Sequence, residues 1–393
     1  MKLAFVIQRY GLEVAGGAEL HCRWLAERLA ARHDVRVVTT CARDYVEWRN
    51  HYPPGPDTVN GVPVQRHSVR RSRDARAFAT LSDLVFDDEH RPADERRWVV
   101  ANGPDCPELI DSLARLRGVD LFLFYSYRYY HSFFGLPRVA DRAVLVPTAE
   151  EDPAVHLSVF AELFRSPRGL IYLTPEERDL IQGVSGNTGL PHVVIGSGLN
   201  VPDGWRGVDV RSRFHLPPQF LFYAGRIDRN KGVDRLFDYY RRLEADWVGL
   251  PPLVLVGHPE LPIPDHPKIR HLGYVTEEEK FALLDACDVL MMPSPYESLS
   301  IIALEAWEMG RPVLANARCK VLEGQCLRSD GGLFYEDYAE FCATLRALIE
   351  RPELRARLGA AGQAYVRREY AWPVVEERVE SLLLRIAGAR PTA

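Results

Sequence analysis

"FLFYAGRIDRNKGVDRLFDYYRRLE", residues 220–244, decides how the chain is read. A short apolar run from Phe220 ends at Gly225, and a helical pattern opens at Val233. The run does not alternate apolar with polar residues. It therefore reads as a strand buried on both faces, of the kind a parallel sheet supplies when helices cover it. Arg226 and Lys231 lie at its carboxyl end, just before the helix. An anion placed there would meet a guanidinium able to bind two oxygens and an ammonium acting as a point charge. Exposed loop cations are common, so the loop alone leaves a solvated turn equally open.

The same unit recurs in both directions. Upstream stand "LAFVIQ" (3–8), "VRVVTT" (35–40), "DLFLFY" (120–125), "AVLVPT" (143–148), "LIYLT" (170–174) and "HVVIG" (192–196). Between the first two, Glu19–Arg32 places Leu20, Trp24, Leu25 and Leu29 on one helical face. Downstream come "PLVLVG" (252–257), "IRHLGYV" (269–275), "DVLMMP" (288–293), "PVLAN" (312–316) and "GLFYE" (332–336), with helical segments at Val233–Glu244, Glu277–Cys287 and Ser300–Met309. Residues 200–218 are rich in Pro, Gly and charge and read as a linker. Residues 338–390 are helical in pattern, with Trp372-Pro373 opening a last helix. Residues 42–118 are mixed and assign themselves to nothing. The expected fold is α/β, with two doubly wound Rossmann-like domains facing each other across a cleft and the ligand at the carboxyl ends of the strands. The expected boundaries are 1–200, 201–370 and a C-terminal helix, 371–393, packing back on the first domain.

Composition narrows the function. A formal charge of −5 argues against a nucleic-acid binder. Seven cysteines form no Cys-x-x-Cys pair, so reduced thiols are expected. The opening "MKLAFVIQRY" has five apolar residues in a row, a strand and not a signal peptide, and no stretch is long enough to span a bilayer. A cytoplasmic enzyme is the expectation.

Other loops carry candidate chemistry. "QRYGLEVAGGAEL" (8–20) brings Gly16 and Gly17 to a helix start, where backbone N–H groups approach an anion. Neither it nor "GSGLNV" (196–201) has G-x-G-x-x-G spacing, which disfavours a dehydrogenase. In "PYESLSIIALEAW" (295–307), Glu297 and Glu305 stand eight positions apart. Glu305 lies in a run that is apolar nearly all round, where an unpartnered carboxylate costs several kcal/mol. With the interval mostly helical, the two acids would lie about 12 Å apart along the axis, and the N–H groups of Ser298, Leu299 and Ser300 would open the helix. The bland alternatives are a solvated loop acid for Glu297 and a buried salt bridge for Glu305.

"GGAELHCRWLAERLA", "GRIDRNKGVDRL" and "LGYVTEEEKFALLDACDVLMMPSPYESLSIIALEAWEMGRPVLA" resemble the retaining glycosyltransferases of family 4, which have the GT-B fold. The resemblance runs from Gln8 to the Trp372 helix, and an E-x7-E motif at this distance from a Gly-Arg…Lys-Gly loop is specific. It implies that Glu305 accepts hydrogen bonds from the ribose of a nucleotide-sugar donor and that Glu297 contacts the sugar beside the anomeric carbon. It implies that Arg226 and Lys231 neutralise the departing diphosphate, assisted by the amides of Leu299 and Ser300. Gly17 lets phosphate and acceptor approach, and Tyr274 and Val275 frame the base. One position departs: the family often has histidine where "VPTAEEDPAV" (146–155) has Glu150, which accepts a hydrogen bond but donates none while ionised.

The implied activity is transfer of a hexose-type sugar from a UDP- or GDP-sugar to a hydroxyl-bearing acceptor (glycan, lipid-linked or small natural product), with retained configuration. No Asp-x-Asp is placed to hold a divalent metal, so a metal-independent reaction is expected, with no other cofactor. A phosphorylase or nucleotide-sugar epimerase of related fold stands as an alternative. So does an impaired nucleotide-sugar-binding subunit, with Glu150 marking lost activity. Two further stretches stay open. Arginines 66, 70, 71, 73 and 76 would meet an anionic lipid or membrane surface, or form a solvated loop balanced by "DDEH" (87–90). "YSYRYYHSFFG" (125–135) would line an acceptor wall or pack in the core.

Overall fold

A computed structural model describes residues 1–14, 16–87 and 89–388. Ala15 of the first glycine loop, Asp88 of the acidic stretch and residues 389–393 lie outside the described residues. The chain divides into two compact units: Met1–Gly196 with the segment from Val375 onward, and Ser197–Val374.

Among the described residues the first unit holds eight strands: β1 (Lys2–Val6), β2 (Asp34–Thr40), β3 (Gly55–Val59), β4 (Val62–His67), β5 (Leu121–Tyr125), β6 (Ala143–Val146), β7 (Gly169–Tyr172) and β8 (His192–Val194). Their order is β3-β4-β2-β1-β5-β6-β7-β8, parallel throughout except for the β3–β4 hairpin at one edge. That hairpin, and the helices Ala75–Asp87, Pro92–Asn102 and Pro107–Arg115, fill the stretch the sequence left unassigned. The central strands are sealed on both sides: Leu3 to Val6 and Leu121 to Tyr125 are buried throughout. This is why they read as unbroken apolar runs.

The second unit holds β9 (Leu221–Ala224), β10 (Leu253–Val256), β11 (Ile269–His271), β12 (Val289–Met292), β13 (Val313–Asn316) and β14 (Gly332–Tyr335). All are parallel, in the order β11-β10-β9-β12-β13-β14. Counted from its own first strand this is 3-2-1-4-5-6, the order of dinucleotide-binding sheets. The winding reverses between β9 and β12, and the loops leaving those strands part there, which is where open α/β sheets take their ligands.

Two expectations change. β11 stops at His271, well short of Val275, because Gly273 turns the chain at φ +79°. Residues 200–218 are not a loose linker. They contain a short helix, Val210–Phe214, tied down by Arg211 donating to the carbonyls of Pro217 and Ala286 and by an Arg213–Glu279 ion pair at 2.7 Å. At the other end of the second unit the Trp372 indole lies over Gly198 and donates to Asn200 Oδ1 at 2.8 Å. The helix it opens, Trp372–Gly388, then joins the first unit, where Glu376 and Glu380 pair with Arg32. No described helix is long and apolar enough to cross a membrane.

Candidate active site

At the winding reversal of the second sheet, the loop after β9 is shaped by Asp228. Its carboxylate accepts the Lys231 N–H at 2.7 Å and lies 3.1 Å from Arg226 Nη1, though not aligned there for a hydrogen bond. Gly232 follows, and the helix Val233–Asp246 begins. A Cβ on Gly232 would stand 2.3 Å from the Pro293 carbonyl oxygen, so the loop after β9 lies directly against the loop after β12. That second loop is pinned by Asn316, which donates to the same carbonyl at 2.9 Å.

This contact brings two of the predicted residues together. Lys231 Nζ reaches Glu297 Oε1 at 2.7 Å, with the two side chains 25 % and 12 % exposed. Arg226 also has acidic neighbours, Asp228 and, at 3.9 Å, Glu260. Both cations therefore have carboxylate partners that the sequence did not supply, and an incoming anion would compete with those acids. Beyond Glu297 the chain stays irregular, and the helix runs only from Ile301 to Glu308. Only the second half of the interval between the two glutamates is helical, so the helical rise does not run its whole length and the 12 Å estimate does not apply. Ser300 caps the helix at φ +64°. Leu299 and Ser300 are buried, and their N–H groups meet no acceptor among the described residues. Amides at a helix start are donors that can serve an anion or water.

Glu305 is 2 % exposed and paired: Lys280 Nζ, from the helix Glu277–Ala286, lies 2.9 Å from its Oε1. The buried salt bridge considered from sequence is therefore real. Burial lifts the Glu305 carboxyl and Lys280 opposes the lift. Burial likewise works against the Lys280 ammonium, but Glu305 and Glu277 together raise it. Tyr274 stands 92 % exposed just beyond β11, with Val275 partly covered beside it.

The first unit carries the remaining candidates. Gly16 precedes the helix Gly17–Leu29 at φ +151°. A Cβ on it would collide with Glu19 Oε2 at 2.2 Å, whereas one on Gly17 would meet nothing within 4 Å. Glu19 folds back to accept from Gln8 at 2.9 Å and Arg9 at 2.7 Å. Glu150 follows β6 in a loop fastened by Glu177, whose two oxygens accept the Ala149 and Leu173 amides at 2.7 and 2.6 Å. Burial, with help from the charge of Glu150, pushes the Glu177 carboxyl up to about 8. Arg128 lies against Asp152 and feels Glu150, and these charges with Tyr127 raise its guanidinium against the cost of burial.

The arginine run mostly serves the fold. Arg66 pairs with Asp57, Arg70 and Arg71 share Asp105, and Arg73 donates to the carbonyls of Tyr45 and Asn102. In the aromatic stretch, Tyr125, Tyr127, His131 and Phe133 are core residues. Lys280 and Asp228 are the site residues that the sequence reading did not single out.

Comparison with known proteins fits this geometry. Residues 218–351 match the family model "Glycosyl transferases group 1". A glycogen synthase of Mycobacterium tuberculosis is 24 % identical over 95 % of this chain and 92 % of its own. A D-inositol 3-phosphate glycosyltransferase of Streptomyces scabiei is 27 % identical over 91 % of this chain and 84 % of its own. Among solved structures, Anabaena HepE in complex with UDP and glucose superposes with a TM-score of 0.69 at 16 % identity, covering 98 % of this chain and all of that one. The second unit is thus similar to group 1 glycosyl transferases, the chain as a whole is similar in sequence to curated glycosyltransferases, and its fold is GT-B.

Proposed function

We propose that the protein is a family 4, retaining glycosyltransferase that moves a hexose-type sugar from a nucleoside-diphosphate sugar to an acceptor hydroxyl. The observation that carries this reading is the conjunction at the β9–β12 reversal of Lys231, Glu297 and the unengaged amides of Leu299 and Ser300. Departure of a diphosphate leaves negative charge on oxygen, and preorganised N–H donors and cations stabilise that charge where it develops. In the proposed reaction Lys231 exchanges Glu297 for the diphosphate and Arg226 turns from its acidic neighbours to the same group. Glu297, released, accepts a hydrogen bond from the sugar. The bond from the anomeric carbon to the diphosphate oxygen breaks and the acceptor oxygen bonds to that carbon on the same face. The acceptor proton passes to the departing phosphate.

Tyr274 and Val275 frame the base in this reading, Glu305 takes the ribose, and Gly17 and Glu150 serve the acceptor side and the sugar's outer hydroxyl. The donor is a UDP- or GDP-sugar, since HepE is described with UDP and a Corynebacterium glutamicum mannosyltransferase 31 % identical over 29 % of this chain is named GDP-mannose-dependent. A cytoplasmic setting, where nucleotide sugars are made, is part of the same proposal. The test is a thermal-shift screen of UDP- and GDP-sugars, since a ligand of the native state raises its melting point. Incubation of the hits with hydroxyl acceptors and analysis of the anomeric proton by NMR follow. Product of inverted configuration removes the retaining mechanism. Tight binding with no turnover on any acceptor leaves a nucleotide-sugar-binding protein, and product formed only with inorganic phosphate makes it a phosphorylase.

A further inference from the structure

The buried ion pair of the second unit has a feature that stability does not require. Lys280 reaches one oxygen of Glu305 and, at 2.9 Å, also one of Glu277. The other Glu305 oxygen meets no donor among the described residues, and it is not among the polar atoms sealed from solvent. A lysine gives this result where an arginine would not. The guanidinium fork matches a carboxylate with two parallel bonds and fills both oxygens, whereas an ammonium binds as a point. Two acids share one base, so the cluster carries a formal charge of −1. It therefore repels phosphate and is short of donors, and the ligand that satisfies it is a neutral group with hydroxyls to give.

We propose that Lys280 is a positioning residue: it holds Glu305 charged and turned so that its open oxygen takes a hydroxyl of a ribose vicinal diol. This rests on the reading of Glu305 above and adds the residue through which that acid acts. Charge then orders the donor along the site, with the nucleoside at the acidic Glu277–Lys280–Glu305 cluster beside Tyr274 and the diphosphate at Arg226 and Lys231. Removing one partner of a buried ion pair destabilises the fold, so Lys280 variants are compared by the ratio of ribo- to deoxynucleotide affinity, which a role confined to packing would leave untouched.

The test is calorimetric titration of the full-length protein with UDP, GDP and their 2′-deoxy and 3′-deoxy counterparts. The wild type is expected to prefer the ribonucleotide by about tenfold, the scale of one hydrogen bond to a charged acceptor. Glu305→Gln should remove most of that preference. Lys280→Met should lower it to within about twofold of unity through misplacement of Glu305. Lys280→Arg should keep the melting temperature yet lose the preference, because the fork occupies both oxygens. Loss of preference in Glu305→Gln with full preference in both Lys280 variants overturns the role of Lys280 and leaves Glu305 as the ribose acid. Equal binding of ribo- and deoxynucleotides by the wild type, or an undiminished preference in Glu305→Gln, overturns the reading of Glu305 itself.

Discussion

The carboxyl edges of the two sheets are built in different ways. In the second unit, β9 and β10 leave directly into Gly225 and Gly257, at φ +152° and +123°. A Cβ on Gly257 would stand 2.0 Å from the Gly225 carbonyl oxygen, so the two loops lie main chain against main chain. In the first unit, the residues after β5 and β6 that take positive φ are Ser126 at +65° and Thr148 at +49°, and their hydroxyls bond to each other at 2.9 Å. Behind them His21 bonds Tyr125 and Gly196, and His131 bonds the Tyr125 carbonyl. One edge presents backbone and cations held by acidic neighbours. The other is closed by side chains that bond to one another and to the backbone. An edge of the first kind suits an anion, which needs N–H donors and charge. An edge of the second kind holds a fixed shape, with Glu150 and Arg128 presented from strained loops.

The contrast breaks most directly at Lys231. If the second edge works by charge, Lys231→Ala lowers sugar-transfer turnover by at least about a hundredfold, or about 2.7 kcal/mol of barrier, while its melting curve stays close to that of the wild type. The comparable loss in the first unit, Glu150→Gln, should change donor preference more than rate, because it removes charge but keeps an acceptor. Unchanged turnover in Lys231→Ala would show that the cation is a solvated loop residue and that the two edges do not differ in kind.

Acid sharpens the comparison from the other side. Burial pushes His21 and His131 down to about 4, so both stay neutral in the native first unit. The unfolded chain binds their protons from about pH 6.5 downward, so the stability they contribute is complete above that pH and is lost as pH falls through 4. Glu177 acts in the opposite sense. With its native carboxyl lifted to about 8, its contribution is complete below its unfolded value and is lost as pH rises toward 8. His131→Gln keeps an N–H donor for the Tyr125 carbonyl but does not titrate. Its stability deficit relative to wild type, from urea melts, should shrink by about 2 kcal/mol between pH 7.5 and pH 5. A deficit constant across that range would mean that His131 is not held neutral by its surroundings.

How far these edges were legible in the sequence follows from the same physics. The clearest strands, β5, β6, β7, β10 and β12, announce themselves because they are buried along their whole length, so nothing charged interrupts them. The β3–β4 hairpin carries the strongest short-range signal there is, Asn60-Gly61, with φ +47° and +80°. It is hidden because β3, at the sheet edge, is mostly exposed and reads "GPDTV", with no apolar run on which to anchor the turn. At the site, Arg226, Lys231, Glu297 and Glu305 were visible because they share two short segments at fixed spacing. Lys280 was not. It lies 25 positions before Glu305 on a different helix, and only the docking of that helix decides where its ammonium points. Asp228 left a trace, since an aspartate three residues before a lysine N–H makes an Asx-type turn, but the pattern is common in loops.

The smallest effect tests whether the side-chain edge really depends on its hydroxyls. A non-glycine residue in the left-handed region costs roughly 1–2 kcal/mol, and glycine removes that cost at the expense of about 1 kcal/mol of lost backbone restriction in the unfolded chain. For Ser300 the hydroxyl has little to lose, its contact being a methionine sulfur 4.0 Å away. Ser300→Gly should therefore be neutral or stabilising by up to about 1 kcal/mol. Ser126→Gly relieves the same strain but also gives up the bond to Thr148, worth about 1 kcal/mol, and should come out destabilising by about that amount relative to Ser300→Gly. Urea midpoints of the two variants, compared at one pH, read the difference. Equal shifts would show that the Ser126–Thr148 bond contributes nothing net, and the first edge would then owe its geometry to the burial of His131 and Glu177 alone.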